Sequence, residues 1–392
     1  MTAHEGCASP ESLQQGEVGS VRPMSTPLSA PARTMTAIQV RAHGGPDILT
    51  EVRLPVPPPG PGEVLVRNAW IGVNYVDLQH RAGEAFPVTL PLVPGTEASG
   101  VVEAVGAGVH PGLRGRPVVH LGHLAGVYAE YTAVPVEYVS VVPDDIPLDV
   151  AAAVAMAGTT AHVLVRMASW VIARTIVVHG AAGSVGGAVV QLAAAEGARV
   201  IAITSTRAKA AVARALGAHD VIISGVVPGP AQLAHLTAEV RRLTGTGADM
   251  VFDATGARTF EASLDMLATG GTLMLYGAIT GHPRPLSPQS LSGLTAPAGR
   301  GGRSGSLGVR WVAASDYLAG SARGQVMAQV LDDVRGGRLS ARVVERYPLV
   351  EAAAAHRALA GRRLTGKVLL RASSWAGAGG LGVPPGGLGD LG

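Results

Sequence analysis

The stretch Ala181–Gly187 reads AAGSVGG and follows a β-branched apolar run, Thr175–His179. Gly183 lets the main chain come close to a pyrophosphate, and Gly186 lets a helix pack close to a strand. The backbone N–H groups at Ala182, Gly183, Ser184, Val185 and Gly186 then face an anion at the positive end of that helix. Ala181 replaces the first glycine of the usual G-x-G-x-x-G, and a tight turn with no ligand is the competing reading. The strand before the turn, the helix after it and a second strand at Arg199–Thr204 favour a nucleotide. That second strand ends in Thr204, Ser205, Thr206, Arg207 and Lys209, with no acid between Glu196 and Asp220. NAD sites place an Asp or Glu about 20 residues past the turn, on the ribose 2′-OH. Hydroxyls and cations suit a 2′-phosphate instead, so the spacing favours NADPH. Solvated helix-surface charges are the alternative reading of Arg207 and Lys209.

These residues need a scaffold that lines up strand ends. From about Leu148 to Ile279, helices alternate with the strands TIVVHG, RVIAIT, DVIIS, DMVFDATG and GTLMLYG. That α/β alternation specifies a doubly wound parallel sheet. From Thr36 to about Pro143 the strands are short and punctuated by Gly and Pro, which suggests a small antiparallel barrel-like domain. The expected division is a disordered extension at 1–34, a discontinuous catalytic domain at 35–147 and 308–371, a nucleotide-binding domain at 148–307 with a mobile loop at 283–305, and a disordered Gly/Pro tail at 372–392. A ligand cleft is expected between the domains.

Composition narrows the classes. The 392 residues are 47% hydrophobic, as for a globular chain. The net charge is only +3 and the basic residues are scattered, so no nucleic-acid footprint forms despite a pI near 9.2. The single cysteine, Cys7, excludes a disulfide framework and a Cys-rich zinc lobe. No uninterrupted apolar run reads as a membrane span and no signal peptide is evident, so a soluble cytoplasmic protein is expected.

Further motifs follow in one order: HGGPDIL at His43–Leu49, GVNYVDLQHRAG at Gly72–Gly83, PLVPGTEASGVVEAVG at Pro91–Gly106, MAGTTAH at Met156–His162, VVHGAAGSVGGAVVQLA at Val177–Ala193 and TGKVLL at Thr365–Leu370. With these the chain resembles the medium-chain dehydrogenase/reductase superfamily, and within it the zinc-free quinone oxidoreductases, from Met35 to about Arg371. The resemblance implies a GroES-like β-rich domain beside a Rossmann domain, NADPH as cofactor, a small-molecule quinone or enone as substrate, and a homodimer. It also implies cofactor contacts from Ser205, Thr206, Arg207, Lys209 and Ser224, from Thr255, from Tyr276 with Gly277, and from Lys367.

Zinc alcohol dehydrogenases of the same superfamily have a Cys where this chain has Asn74 and a His where it has Thr96. Amide and hydroxyl are poor zinc ligands, and Glu97 with Asp77 does not make a site, so no metal is expected. Glu97 reads as a buried structural carboxylate. Without zinc, hydrogen-bond donors must meet the developing oxyanion. The resemblance assigns that role to the Asn74 amide, whose other reading is a plain turn residue, and sets the Thr160 hydroxyl beside the nicotinamide. Tyr75 either reaches the substrate or is a half-buried core aromatic. Two departures stand out. Relatives often carry a Tyr after RAG, where this chain has Ala85 and Phe86, so the proton can come from water. They also often carry a Tyr after the third strand, where this chain has Ser224. A stand-alone enoyl reductase of polyketide or fatty-acyl biosynthesis remains the alternative enzyme, and a non-catalytic NADPH-binding protein the alternative class.

Overall fold

The computed structural model describes residues 33–84, 88–121, 125–168, 174–292 and 305–375. Ala85 and Phe86, residues 1–32, most of the expected 283–305 loop and the tail beyond Trp375 lie outside the described residues. The N-terminal part runs β1 (Thr34–Gln39), β2 (Thr50–Pro55), β3 (Glu63–Val73), α1 (Tyr75–Ala82), β4 (Glu97–Val105), β5 (Pro117–Leu121), β6 (Tyr131–Pro135) and β7 (Val139–Val141). The long helix α2 (Leu148–Met167) leads into β8 (Thr175–His179), α3 (Ser184–Ala195), β9 (Arg199–Thr204), α4 (Arg207–Ala215), β10 (Asp220–Ile223), α5 (Pro230–Thr244), β11 (Ala248–Asp253), α6 (Phe260–Asp265), β12 (Leu267–Leu275) and β13 (Gly308–Trp311). The chain closes with α7 (Ser321–Arg335), β14 (Val343–Pro348), α8 (Ala352–Ala360) and β15 (Lys367–Arg371).

The six-stranded sheet has the order β10-β9-β8-β11-β12-β13, and its neighbouring strands run parallel. Its period-2 pattern explains the near-continuous apolar runs. Ile176, Val178, Val200 and Ala202 pack with residues of α2 and α3, while Val177, Ile201 and Ile203 pack with Leu236 and Val240 of α5 and Phe260 and Leu264 of α6. A parallel sheet covered on both faces has no polar side to show in its sequence. The chain order reverses at β8, with β9 and β10 on one side and β11 to β13 on the other, which is where such sheets bind ligands.

The second sheet is antiparallel around β3, and β14 and β15 join it by pairing β15 with β3. The expected return of the C-terminal segment therefore differs in one place. Gly308–Trp311 pairs in parallel with β12 as the edge of the six-stranded sheet, so the exchange between sheets falls after β13 and not at 307/308. Residues expected in the disordered extension and tail also take part in the fold. Thr34 pairs with Pro55 in β1, and Ser373–Trp375 forms a turn with Trp375 under the Arg67 guanidinium, 5.0 Å from the ring centre. Helix α2 is long and apolar enough to cross a membrane (mean hydropathy 1.6), yet it packs against α3, α7, β4 and β5.

Helix α1 stands on a buried polar chain. The Asn74 backbone N–H donates to Asp77 Oδ2 (2.8 Å), Tyr128 donates its hydroxyl to the same oxygen (3.3 Å), and that hydroxyl lies 3.0 Å from His356 Nε2. Burial pushes the Asp77 carboxyl up to about 7, against the lowering effect of the Asn74 N–H. Burial, with the Arg81 charge behind it, pulls His356 down to about 3. Asp77 thus binds its proton more tightly in the folded protein than at the ordinary 3.8. Its stabilising contribution is full below that value and disappears as the pH rises through about 7. Asp77→Asn mimics the protonated form. Urea unfolding of parent and variant across pH 4 to 8 should show the parent losing ground to the variant up to about pH 7, then a constant gap; a parent that gains on the variant as pH rises contradicts the account.

Candidate active site

The carboxyl ends of β8, β9, β11 and β12 open into a cavity of about 490 Å³, whose opposite wall is α1 with its preceding residues Val73 and Asn74. The glycine turn after β8 forms its floor: Ala182, Gly183, Ser184, Val185 and Gly186 all line it. A Cβ on Gly186 would sit 2.5 Å from the Gly180 carbonyl oxygen, so only glycine lets α3 start this close to β8. Gly183 is the N-cap and no side chain caps the helix, leaving first-turn N–H groups for an anion. Three cations, Lys209, Arg258 and Arg362, line the cavity, with no carboxylate among the described lining residues. The open N–H groups of the turn, with Lys209 and Arg362 beyond them, fit an anionic dinucleotide.

At the ends of β9 and β10, Ser205, Lys209 and Ser224 line the cavity as expected, but Thr206 and Arg207 do not. The Thr206 hydroxyl accepts the Lys209 backbone N–H (3.2 Å) and caps α4, while Arg207 begins that helix as an exposed residue. The second cation comes instead from Arg362, which sequence reasoning missed. It stands at φ 54°, a left-handed conformation uncommon for a side chain, and its carbonyl accepts the Lys209 ammonium (2.7 Å). Burial, followed by the Arg362 charge, lowers the Lys209 pKa from the ordinary lysine value. Ser224 is a weak partner for phosphate, because its single hydroxyl hydrogen faces main-chain carbonyls, Gly225 at 2.9 Å and Thr204 at 3.2 Å.

Beyond β11 the buried Asp253 shapes the next contact. It accepts the Thr255 N–H (2.6 Å) and the Thr259 and Ser263 hydroxyls (2.6 and 2.8 Å), fixing the turn that carries Thr255 into the cavity wall. Tyr276 and Gly277 follow from β12, and burial together with the Asp253 charge drives the Tyr276 phenol upward.

The position of the replaced zinc ligands is a closed network. The Asn74 amide donates to Thr96 Oγ1 (3.1 Å) and Glu97 Oε1 (2.7 Å), and its oxygen accepts the Lys367 ammonium (2.6 Å). Lys367 also pairs with Glu97 Oε1, and Glu97 Oε2 accepts the Met156 N–H (2.5 Å). Two expectations change. Both amide hydrogens of Asn74 are taken, so it offers no free donor to a substrate oxyanion. Lys367 is 3% exposed and locked in this network, outside the main cavity. A lysine ammonium thus supplies the positive charge among the groups that replace zinc ligands, and among the described residues no cluster of three or more His, Cys, Asp or Glu could hold a metal. The donors facing the cavity are others. Thr160 lines it one helical turn from Met156. Tyr75 lines it with its hydroxyl 3.4 Å from the Ile279 carbonyl, a long contact. Gln79, four residues on from Tyr75 along α1, lines it too; that spacing was the signal in the sequence.

The chain matches the alcohol dehydrogenase GroES-like domain over residues 60–144 and the zinc-binding dehydrogenase model over residues 184–306. It is 34% identical to a 2-haloacrylate reductase from Burkholderia sp over 342 residues, covering 85% of this chain and 98% of the relative. It is also 34% identical to a probable quinone oxidoreductase from Schizosaccharomyces pombe over 337 residues, 85% of this chain and 96% of that one. A mycobacterial protein solved in complex with NADPH superposes with a TM-score of 0.78 at 36% identity, covering 86% of this chain and 100% of that structure. Sequence motifs, sheet order and these likenesses agree, and the chain belongs to the zinc-free quinone oxidoreductase group of the medium-chain dehydrogenase/reductase superfamily.

Proposed function

We propose that this protein is an NADPH-dependent oxidoreductase that reduces quinones or other α,β-unsaturated carbonyls without a metal. One observation carries the reading: a glycine turn and uncapped helix start open into a cavity lined by three cations and no described carboxylate, with neutral donors on the facing wall. The relatives named for quinone and haloacrylate reduction, and the NADPH-bound structure, support it. The N–H groups of Ser184 to Gly186 hold the pyrophosphate, which passes close to Gly183, whose own N–H donates to the Gly180 carbonyl (2.8 Å); Ser205, Lys209 and Arg362 hold the 2′-phosphate, and Thr255, Tyr276 and Gly277 lie along the nicotinamide half. Bound NADPH supplies the hydride for the conjugated acceptor. Tyr75, Gln79 and Thr160 offer hydrogen bonds to its carbonyl and to the nicotinamide amide, and the proton comes from water. Asn74 is a positioning residue: with Glu97 and Lys367 it fixes the start of α1 and the Met156–Thr160 turn of α2. A homodimer completes the reading. Among the described residues strand β13 is the sheet edge, with its Trp311 44% exposed and the nearby Tyr317 48%, and such an edge flanked by aromatics suits two-fold pairing with a second copy.

Absorbance of NADPH should fall when the protein meets a panel of quinones and enones, in the presence of chelator and with no zinc by elemental analysis. NADPH should bind more tightly than NADH by about 1–3 kcal/mol, and Lys209→Ala with Arg362→Ala should erase most of that gap. A zinc requirement, or equal affinity for the two nucleotides, counts against the reading.

Tyr75→Phe combined with Gln79→Leu should lower kcat/KM for a quinone at least tenfold while NADPH binding by fluorescence holds. Asn74→Ala should instead lower the unfolding midpoint, by about 1–3 kcal/mol of lost buried hydrogen bonding. The reverse pattern returns Asn74 to direct contact with the substrate.

Sedimentation should give a mass near twice the 39.6 kDa chain. Trp311→Lys should shift it toward the monomer; a parent that sediments as a monomer removes the dimer.

A further inference from the structure

The cavity's cations fall into two groups, and the sheet order separates them. Lys209 and Arg362 are joined at the end of β9, the side where a second strand meets the ribose 2′ substituent. Arg258 follows β11 on the other side of β8, so two strand spacings, about 10 Å, separate the strands that carry the two groups. That is the half of the sheet over which the nicotinamide lies in a doubly wound dinucleotide fold. Local hydrogen bonds tie Arg258 to the substrate wall. Its N–H donates to Thr280 Oγ1 (3.1 Å), and the neighbouring Ile279 carbonyl is the partner of the Tyr75 hydroxyl. The residue is exposed and lines the cavity, and its guanidinium has no hydrogen bond or ion pair among the described residues.

We propose that Arg258 is a specificity-determining residue that selects acceptors carrying a carboxylate next to the conjugated system. The proposal rests on the reductase reading above and names its substrate class. The cofactor's phosphates are served at the glycine turn and at Lys209 and Arg362, which leaves Arg258 a cation at the acceptor end with no other charge to meet. A planar guanidinium binds a carboxylate through paired N–H groups, and at a cavity rim it also draws the anion inward. No described carboxylate lines the cavity to oppose this. Neutral acceptors are admitted without that attraction, so the expected mark is a preference and not an exclusion.

The test compares 3-benzoylacrylate with its methyl ester, two enones that differ in one charge. In the parent, kcat/KM should favour the acid, and added salt should shrink the preference. The acid-to-ester ratio should fall at least tenfold in Arg258→Ala and invert in Arg258→Glu. A second arm needs no turnover: the NADP⁺-loaded protein is titrated calorimetrically with 3-benzoylpropionate and its methyl ester. The acid should bind more tightly to the parent, and that preference should vanish in Arg258→Ala, with the NADPH dissociation constant moving less than twofold. A ratio that survives Arg258→Glu overturns the proposal, as does a large loss of NADPH affinity in Arg258→Ala, which makes the residue a cofactor ligand. If neither these enones nor any quinone of the panel is reduced, the reductase reading fails, and the calorimetric arm still decides whether Arg258 recognises a carboxylate.

Discussion

The buried pair of Glu97 and Lys367 is the constraint on which the site depends. Exposure is 0% for Glu97 and 3% for Lys367. A buried ion pair holds only when its remaining donors and acceptors are satisfied. Here each partner comes from a different element: Asn74 before α1, Met156 from the middle of α2, Glu97 at the start of β4 and Lys367 at the start of β15. Moving either charged residue leaves the other unpaired in the interior, and moving Asn74 or Met156 strips the pair of a hydrogen bond. The carboxylate fits only because β3 has Gly72 beside it, where a Cβ would lie 2.1 Å from Glu97 Oε1. The network therefore ties both segments of the β-rich domain to the long helix. It sets two walls of the cavity at once, α1 through Asn74 and the Thr160 turn through Met156.

The opposite end of the cavity is built differently. Around the glycine turn the donors are main-chain N–H groups, whose direction follows from the fold and needs no buried charge. At the end of β9 the cations are partly solvent-accessible, with the half-buried Lys209 on the carbonyl of the exposed Arg362. A left-handed Arg362 costs on the order of 1 kcal/mol; the ammonium on its carbonyl helps to offset that. This contact joins α4 of the nucleotide-binding sheet to the turn after α8, so the two domains meet at the charged end as well as at the buried one.

Much of this was legible in the residues themselves. The alternation of helices with apolar strands gave the parallel sheet, and AAGSVGG with its flanking strands gave the tight turn and uncapped helix start that line the cavity, because backbone geometry there depends on which positions lack a side chain. The missing acid after β9 pointed to a cationic ribose site for the same local reason. The roles of Thr206 and Ser224 were not legible. Each hydroxyl is used by its own neighbourhood, one as a helix cap and one on main-chain carbonyls, and a hydroxyl's partner depends on atoms the sequence does not align. Gln79 was within reach, since it repeats Tyr75 at helical spacing.

The sequence by itself determined the fold class, the family and the glycine turn, because periodicity, small residues and motif order act within a few neighbouring positions. Only the tertiary structure decided which charges do what. Asn74 and Lys367 read as site residues until distant chain segments, 293 positions apart, are brought within 2.6 Å and satisfy each other. No local pattern marks Arg362 until α8 carries it to the end of β9. A charged group's function is set by the partners that share its burial, and those partners are supplied by long-range packing that no local pattern records.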